Sequence, residues 1–298
     1  FLSPAAAFLY VPERRLAPIR VRVDAPQDWR VSTGLEQAPD AANTFVAPDY
    51  DVLVDSPLEI GLHDLHTFDV DGVPHEIVIW HAGTTVVPKP IYDAEQMKRD
   101  FAEIVRVQKS IFGDMPYSRY VFQIHSGAGL GGGTEHLNST IMQTSRATFE
   151  DEATYKRFLG LVSHEMFHTW NVKQLRPADL KPYDYAHEDY TRLLWLVEGA
   201  TSYYDDLCLV RAGLQSPDAF IGAIEGMIAS ELGRPGWKEQ SLEESSFDAW
   251  IKFNKTTPDS PNTTVSFYSK GALVSLLLDL EIRSRTENRA SFDDLFRT

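Results

Sequence analysis

The chain holds one cysteine, Cys208, in 298 residues, so no disulfide can form within it and the redox compartment cannot be read from cysteine usage. A buried, small apolar role is expected for it. Basic residues are scarce beside acidic ones: 28 Lys and Arg against 43 Asp and Glu give a formal charge of −15 and a pI near 5.0. That balance argues against a nucleic-acid partner or an anionic membrane surface, and favours cationic ligands such as a peptide amino terminus. No apolar run approaches the roughly 20 residues needed to cross a bilayer, so no membrane span is expected. A cytoplasmic and a periplasmic setting both stay open. Internal repeats and low-complexity tracts are lacking too. The stretch Phe1 to Val11 has neither an initial Met nor the basic and long apolar regions of a signal peptide, and reads as a processed or incomplete amino terminus.

What the chain does have is ordinary globular material, 43% hydrophobic and 24% charged, organised around Ser163-His164-Glu165-Met166-Phe167-His168-Thr169-Trp170. On a helix, side chains four apart stand on one face, so His164 and His168 are placed to supply two nitrogens to a zinc ion. Glu165 sits beside the first as general base, the roles attached to the H-E-x-x-H pattern. The competing reading is a helix with two ordinary histidines.

Upstream of residue 90 the pattern is β: alternation at Ile19-Arg20-Val21-Arg22-Val23, a Trp29 to Ser32 segment, and Asp71-Gly72 joining two apolar runs as a hairpin turn. This gives an antiparallel β domain over 1–90, with Pro88 and Pro90 marking its end. His63 and His66 flank Asp64 there, and an ordinary loop is the favoured reading over a metal site. The second domain, 91–298, opens with a periodic helix over Asp93 to Phe112 and a strand at Tyr120 to Ile124. A glycine-rich turn, Gly127 to Gly133, follows. It formally holds G-x-G-x-x-G, but no helix follows to make a dinucleotide site; its glycines instead let backbone approach a ligand. A second strand lies near Ile141.

Thr148 with Asp151 resembles a capping box, which predicts a helix from about Phe149 to Val172 carrying the histidines. A further helix is expected from near Asp189, with Glu198 inside its apolar face. A carboxylate there is costly unless paired or metal-bound, which makes Glu198 the candidate third ligand, against the alternative of a surface Glu at a helix edge. Helices over Pro217 to Leu232, from Phe267 or Tyr268 to Arg283, and from Ser291 complete the reading. The stretch Gly233 to Val265 reads as irregular. The fold class is therefore α+β, an antiparallel β module followed by a mainly helical domain with a small sheet.

The set His164-Glu165-x-x-His168, Val197-Glu198-Gly199-Ala200 and Tyr268-Ser269-Lys270-Gly271-Ala272 resembles the gluzincin zinc peptidases with a thermolysin-like catalytic domain. Gly131-Gly132-Gly133-Thr134-Glu135-His136-Leu137-Asn138 and His168-Thr169-Trp170-Asn171 narrow this to the glycyl aminopeptidase family, zinc exopeptidases that usually carry a PDZ domain as well. The related larger aminopeptidase family has a G-x-M-E-N motif and a shorter gap between its second His and its Glu; here the gap is 30 positions. The resemblance spans roughly residues 45 to 298, and implies β structure before Phe1 and helix plus PDZ after Thr298.

It further implies one zinc per chain and removal of an amino-terminal residue, preferably Gly or Ala, from a peptide with a free N-terminus. Tyr268, in the family's Tyr-x-Lys-Gly motif, would donate to the oxyanion. An exopeptidase also needs a group for the α-ammonium; Glu135 is the candidate, with Gly132 and Gly133 lying against the peptide. An endopeptidase of the same fold, which has no use for Glu135, and a non-catalytic peptide-binding module are the alternatives.

Overall fold

A computed structural model describes residues 1–82 and 92–297. The boundary expected at Pro88 and Pro90 lies outside them. Contacts divide the chain into two compact units, one of Phe1–Val105 with Pro116–Thr169, the other of Arg106–Met115 with the residues from Trp170 on.

In the first unit a single turn of helix, α1 (Pro4–Ala7), precedes strands β1 (Ile19–Arg22), β2 (Arg30–Thr33), β3 (Glu36–Gln37) and β4 (Thr44–Ala47). Helix α2 (Tyr50–Val54) and strand β5 (Leu58–Gly61) follow, then the hairpin β6 (Asp64–Val70) and β7 (Val73–His81). The hairpin turn is Asp71-Gly72, both in the left-handed region with φ of 53° and 84°, as two-residue turns between twisted strands require. After helix α3 (Ala94–Phe112) come β8 (Tyr120–Ser126), β9 (Gly132–Glu135), β10 (Ser139–Thr144) and helix α4 (Glu152–Phe167).

Among the described residues the larger sheet runs β6-β7-β8-β10-β9. It takes strands from both sides of residue 90. β8 is flanked by parallel neighbours and buried over its whole length, which is why Tyr120-Val121-Phe122-Gln123-Ile124 reads as a near-continuous apolar run. Phe101, Ile104 and Val105 of α3 and Phe158, Leu159, Val162 and Met166 of α4 are buried with it. β9 pairs only with β10 among the described residues and forms the sheet edge. There are smaller sheets, β1-β4-β3 and β2-β5, and a second cluster of Val21, Leu35, Phe45, Tyr50 and Leu53 against which Ile19 of β1 and Val31 of β2 pack.

The second unit is helical: α5 (Leu194–Arg211), α6 (Pro217–Leu232), α7 (Leu242–Phe247), α8 (Ser260–Thr263) and α9 (Ser269–Arg285). Helix α6 has the expected bounds, with Ser216 as its N-cap and Pro217 at its first position. Tyr203 donates to Asp279 at 2.8 Å and Tyr204 to Asp293 at 2.6 Å, so α5 is tied to α9 and to the 3-10 turn Phe292–Arg297.

Four expectations need correction. The helix carrying the histidines begins at Glu152, because Asp151 accepts the Thr154 N–H as N-cap, while Thr148 belongs to a separate 3-10 turn. It ends at Phe167, with turns through the residues that follow. Helix α5 starts five residues after Asp189, at Leu194. The region Gly233 to Val265 is not irregular throughout: it holds α7 with a capping box of Ser241 and Glu244, a π-helical turn Ala249–Phe253, and α8.

Candidate metal centre

His164 lies in the last turn of α4 and His168 is its C-cap, still in αR geometry, with its N–H donating to the His164 carbonyl at 3.3 Å. The i, i+4 relation therefore survives although the helix stops between them. Their rings meet edge to face with centroids 4.7 Å apart, and the two Nε2 atoms are 3.1 Å from each other. Among the described residues, His164, His168 and Glu198 bring one ligand atom each within 4.8 Å of one another. Two imidazole nitrogens and a carboxylate oxygen are the donor set of a three-ligand zinc site, so the residues present fit that ion.

Glu165, one residue along α4, is buried and faces the edge strand. A methyl group added at Gly133 would stand 2.3 Å from Glu165 Oε1 and 2.5 Å from its Cδ. Only the bare backbone of glycine leaves room for this carboxylate against β9. The neighbouring Gly132 has φ of 97°, a conformation that costs any residue with a Cβ. The three heavy atoms nearest to a methyl group at Gly133 all belong to the Glu165 side chain.

The motif after these glycines is held from the first 60 residues. His136 Nδ1 donates to Asp55 at 3.0 Å, the Leu137 N–H donates to the same carboxylate at 2.9 Å, and the Asn138 amide donates to the Gly34 carbonyl at 2.8 Å. This fixes the turn between β9 and β10 and the half-buried Glu135 at its start. Burial drives the Tyr120 phenol well above its ordinary range. A hydrogen bond with Thr169 opposes this, and the charges of Glu165, Glu135 and Asp55 add to it.

Glu198 is positioned by different means. The Asn171 side-chain amide donates to the carbonyls of Leu196 and Val197 at 3.3 and 3.1 Å and to Thr201 Oγ1 at 3.2 Å, clamping the first turns of α5. Helix α5 also lies very close to α9: a methyl group at Gly199 would stand 2.5 Å from the Cα of Gly271, and one at Gly271 2.6 Å from the Trp195 carbonyl. The glycines of Glu198-Gly199 and Lys270-Gly271 are thus the contact that brings the start of α9 to Glu198. Tyr268, the N-cap of α9, packs on Phe267 and Phe253 with centroids 4.8 and 5.6 Å away. It shares with Glu198 the wall of a cavity of about 380 Å³.

That cavity was not anticipated. Its signal in the sequence was the run of Phe247, Trp250 and Phe253 inside an otherwise polar stretch. The histidines near the first hairpin have ordinary structural partners: His63 Nε2 lies 2.9 Å from Ser32 Oγ, and His66 Nε2 3.0 Å from the Tyr92 hydroxyl, which donates to Asp64. Cys208 is buried, as expected.

Comparison with known proteins adds to this geometry. Residues 157–274 match a family model described as M61 glycyl aminopeptidase, and residues 1–62 match the peptidase M61 N-terminal domain. No curated protein matches the chain. A crystal structure of an aminopeptidase N family protein from Idiomarina loihiensis is 32% identical with a TM-score of 0.89, over 96% of this chain and 49% of that one. The chain thus spans about half the length of that relative. A substituted form of an M1 zinc metallopeptidase from Deinococcus radiodurans is 19% identical with a TM-score of 0.55, over 89% of this chain and 52% of that one. The same substituted form bound to a Tyr-Ser-Ala substrate is 17% identical with a TM-score of 0.55, over 94% and 56%. These last two share the fold.

Proposed function

The chain belongs to the M61 glycyl aminopeptidase family, and on that footing we propose that it is a zinc-dependent aminopeptidase cleaving the first peptide bond of substrates that begin with Gly or Ala. The observation that carries the reading is the cluster of His164, His168 and Glu198 with Glu165 on the same helix. These three residues would hold one zinc. When bound, zinc supplies Lewis-acid polarisation of the scissile carbonyl and lowers the pKa of a water.

Glu165 takes the proton of the attacking water and later delivers it to the leaving amine. Its place against Gly133 fixes the carboxylate without a competing side chain. The Tyr268 hydroxyl donates to the oxyanion as it forms. Glu135 receives the α-ammonium, and the edge of β9 aligns the peptide by main-chain hydrogen bonds. Gly132 and Gly133 keep that edge low.

Hydrolysis of glycyl and alanyl peptides, free and N-acetylated, tests the reading. Free peptides should be cut and acetylated ones left intact, since acetylation removes the charge Glu135 binds. Equal cleavage of both would make the protein an endopeptidase of the same fold, and cleavage of neither would favour a peptide-binding module.

A further inference from the structure

The cavity beside Glu198 and Tyr268 is too large for the residue proposed to be removed. It measures about 380 Å³, within the roughly 300–1,000 Å³ of sites that enclose small organic groups, whereas Gly offers no side chain and Ala a methyl. Its wall is aromatic: Tyr190, Phe247, Trp250, Phe253 and Phe267 join Tyr268. Tyr190, Phe247, Trp250 and Phe253 are 36–53% exposed, and large apolar groups gathered at an open mouth mark a binding surface. Among the described residues no Lys or Arg lines it, while Asp189 does.

The wall is built for its shape. Ala249–Phe253 is a π-helical turn, a rare form that recurs at functional sites, and it supplies Ala249, Trp250 and Phe253 to the cavity. The Trp250 indole N–H donates to the Asp189 carbonyl at 3.3 Å, and the Phe247 and Tyr190 rings stack at 5.0 Å. The segment before α5 and the π turn are thereby locked together around the opening.

We propose that this cavity is the subsite for the second residue of the substrate, the one that follows the scissile bond, and that it selects a large apolar or aromatic side chain there. The inference rests on the aminopeptidase reading. With Glu198 as zinc ligand and Tyr268 as oxyanion donor in its wall, the cavity adjoins the reacting carbonyl. The first residue is small and seated at the glycine edge, so the neighbour across the scissile bond is the one with a side chain to place. Apolar burial there raises kcat/KM, and an acidic side chain facing Asp189 lowers it.

The zinc-loaded protein should be assayed with Gly-Phe-Gly, Gly-Leu-Gly, Gly-Gly-Gly, Gly-Glu-Gly and Phe-Gly-Gly. The expected order of kcat/KM places the Phe and Leu tripeptides about tenfold or more above Gly-Gly-Gly, with Gly-Glu-Gly lowest of the glycyl series and Phe-Gly-Gly poorly cut. Trp250→Ala and Phe253→Leu should each reduce the ratio of Gly-Phe-Gly to Gly-Gly-Gly by about tenfold for the larger truncation and less for the smaller. Phe-Gly-Gly as best substrate would assign the cavity to the first residue and overturn the inference while leaving a peptidase. Equal rates for Gly-Phe-Gly and Gly-Gly-Gly would also overturn it, and absence of cleavage throughout would remove both this inference and the reading beneath it.

Discussion

Glu165 and Gly133 act as a pair at the scale of single residues. The added methyl of Gly133→Ala would stand 2.3 Å from Glu165 Oε1, so one of the two must move, and misplacing the proposed general base would cost about 10² in rate. Gly133→Ala should lower kcat by that order while zinc content stays that of the native protein, measured by elemental analysis beside steady-state kinetics. Unchanged kcat would show that the carboxylate has other room. Glu165→Gln is expected to keep the zinc and lose nearly all turnover, since an amide keeps the shape and cannot take the proton. His75 gives a prediction about pH. Its Nδ1 lies 2.9 Å from the Val73 carbonyl, which can only accept, so Nδ1 carries the hydrogen and Nε2 accepts from the Tyr117 hydroxyl at 3.1 Å. Burial lowers its pKa to about 4. Because the folded pKa lies below the unfolded value, the unfolded chain binds the extra proton. Stability is thus complete above about pH 6.5 and declines as pH falls towards 4, by up to about 3 kcal/mol from this group. Urea unfolding at pH 7 and pH 4.5 should show less acid loss in His75→Asn than in the native protein; equal losses would take His75 out of the account.

At the scale of elements, α5 and α9 touch through Gly199 and Gly271, and this contact sets the spacing of Glu198 from Tyr268. Gly199→Ala should cost about 1–3 kcal/mol of stability, seen as a lower midpoint in denaturant, and should lower kcat as well. An alanine variant with native stability and rate would contradict the role given to the crossing. Such elements were legible in the sequence where local chemistry decides them: Asp71-Gly72 as a turn, Ser216-Pro217 as a helix start, and the apolar run of β8. Boundaries that depend on competing caps were not. Asp151 and Thr148 both offer an oxygen near the start of α4, and the hydrogen bond to Thr154 decides between them. Phe247, Trp250 and Phe253 lie in a stretch read as irregular, because short helices and a π turn carry no long period to detect.

On the scale of the whole chain, the histidine pair and Glu198 could be read beforehand because a helix fixes i and i+4 locally, and because a carboxylate among apolar residues needs a reason. Nothing local tells that Asn171 would clamp α5, or that His136 and Asn138 would be held by Asp55 and Gly34, since those partners are 25 to 104 residues away in sequence. The central claim is that one zinc, held by His164, His168 and Glu198, is what makes the chain a peptidase. Its most direct test is to strip metal with a chelator, remove the chelator, and titrate zinc back while following cleavage of a glycyl tripeptide. The account predicts no activity at the start, a linear rise, and a plateau at one zinc per chain, with no recovery in His168→Ala over the same range. Full activity in the stripped protein, or a plateau reached equally by His168→Ala, would contradict it.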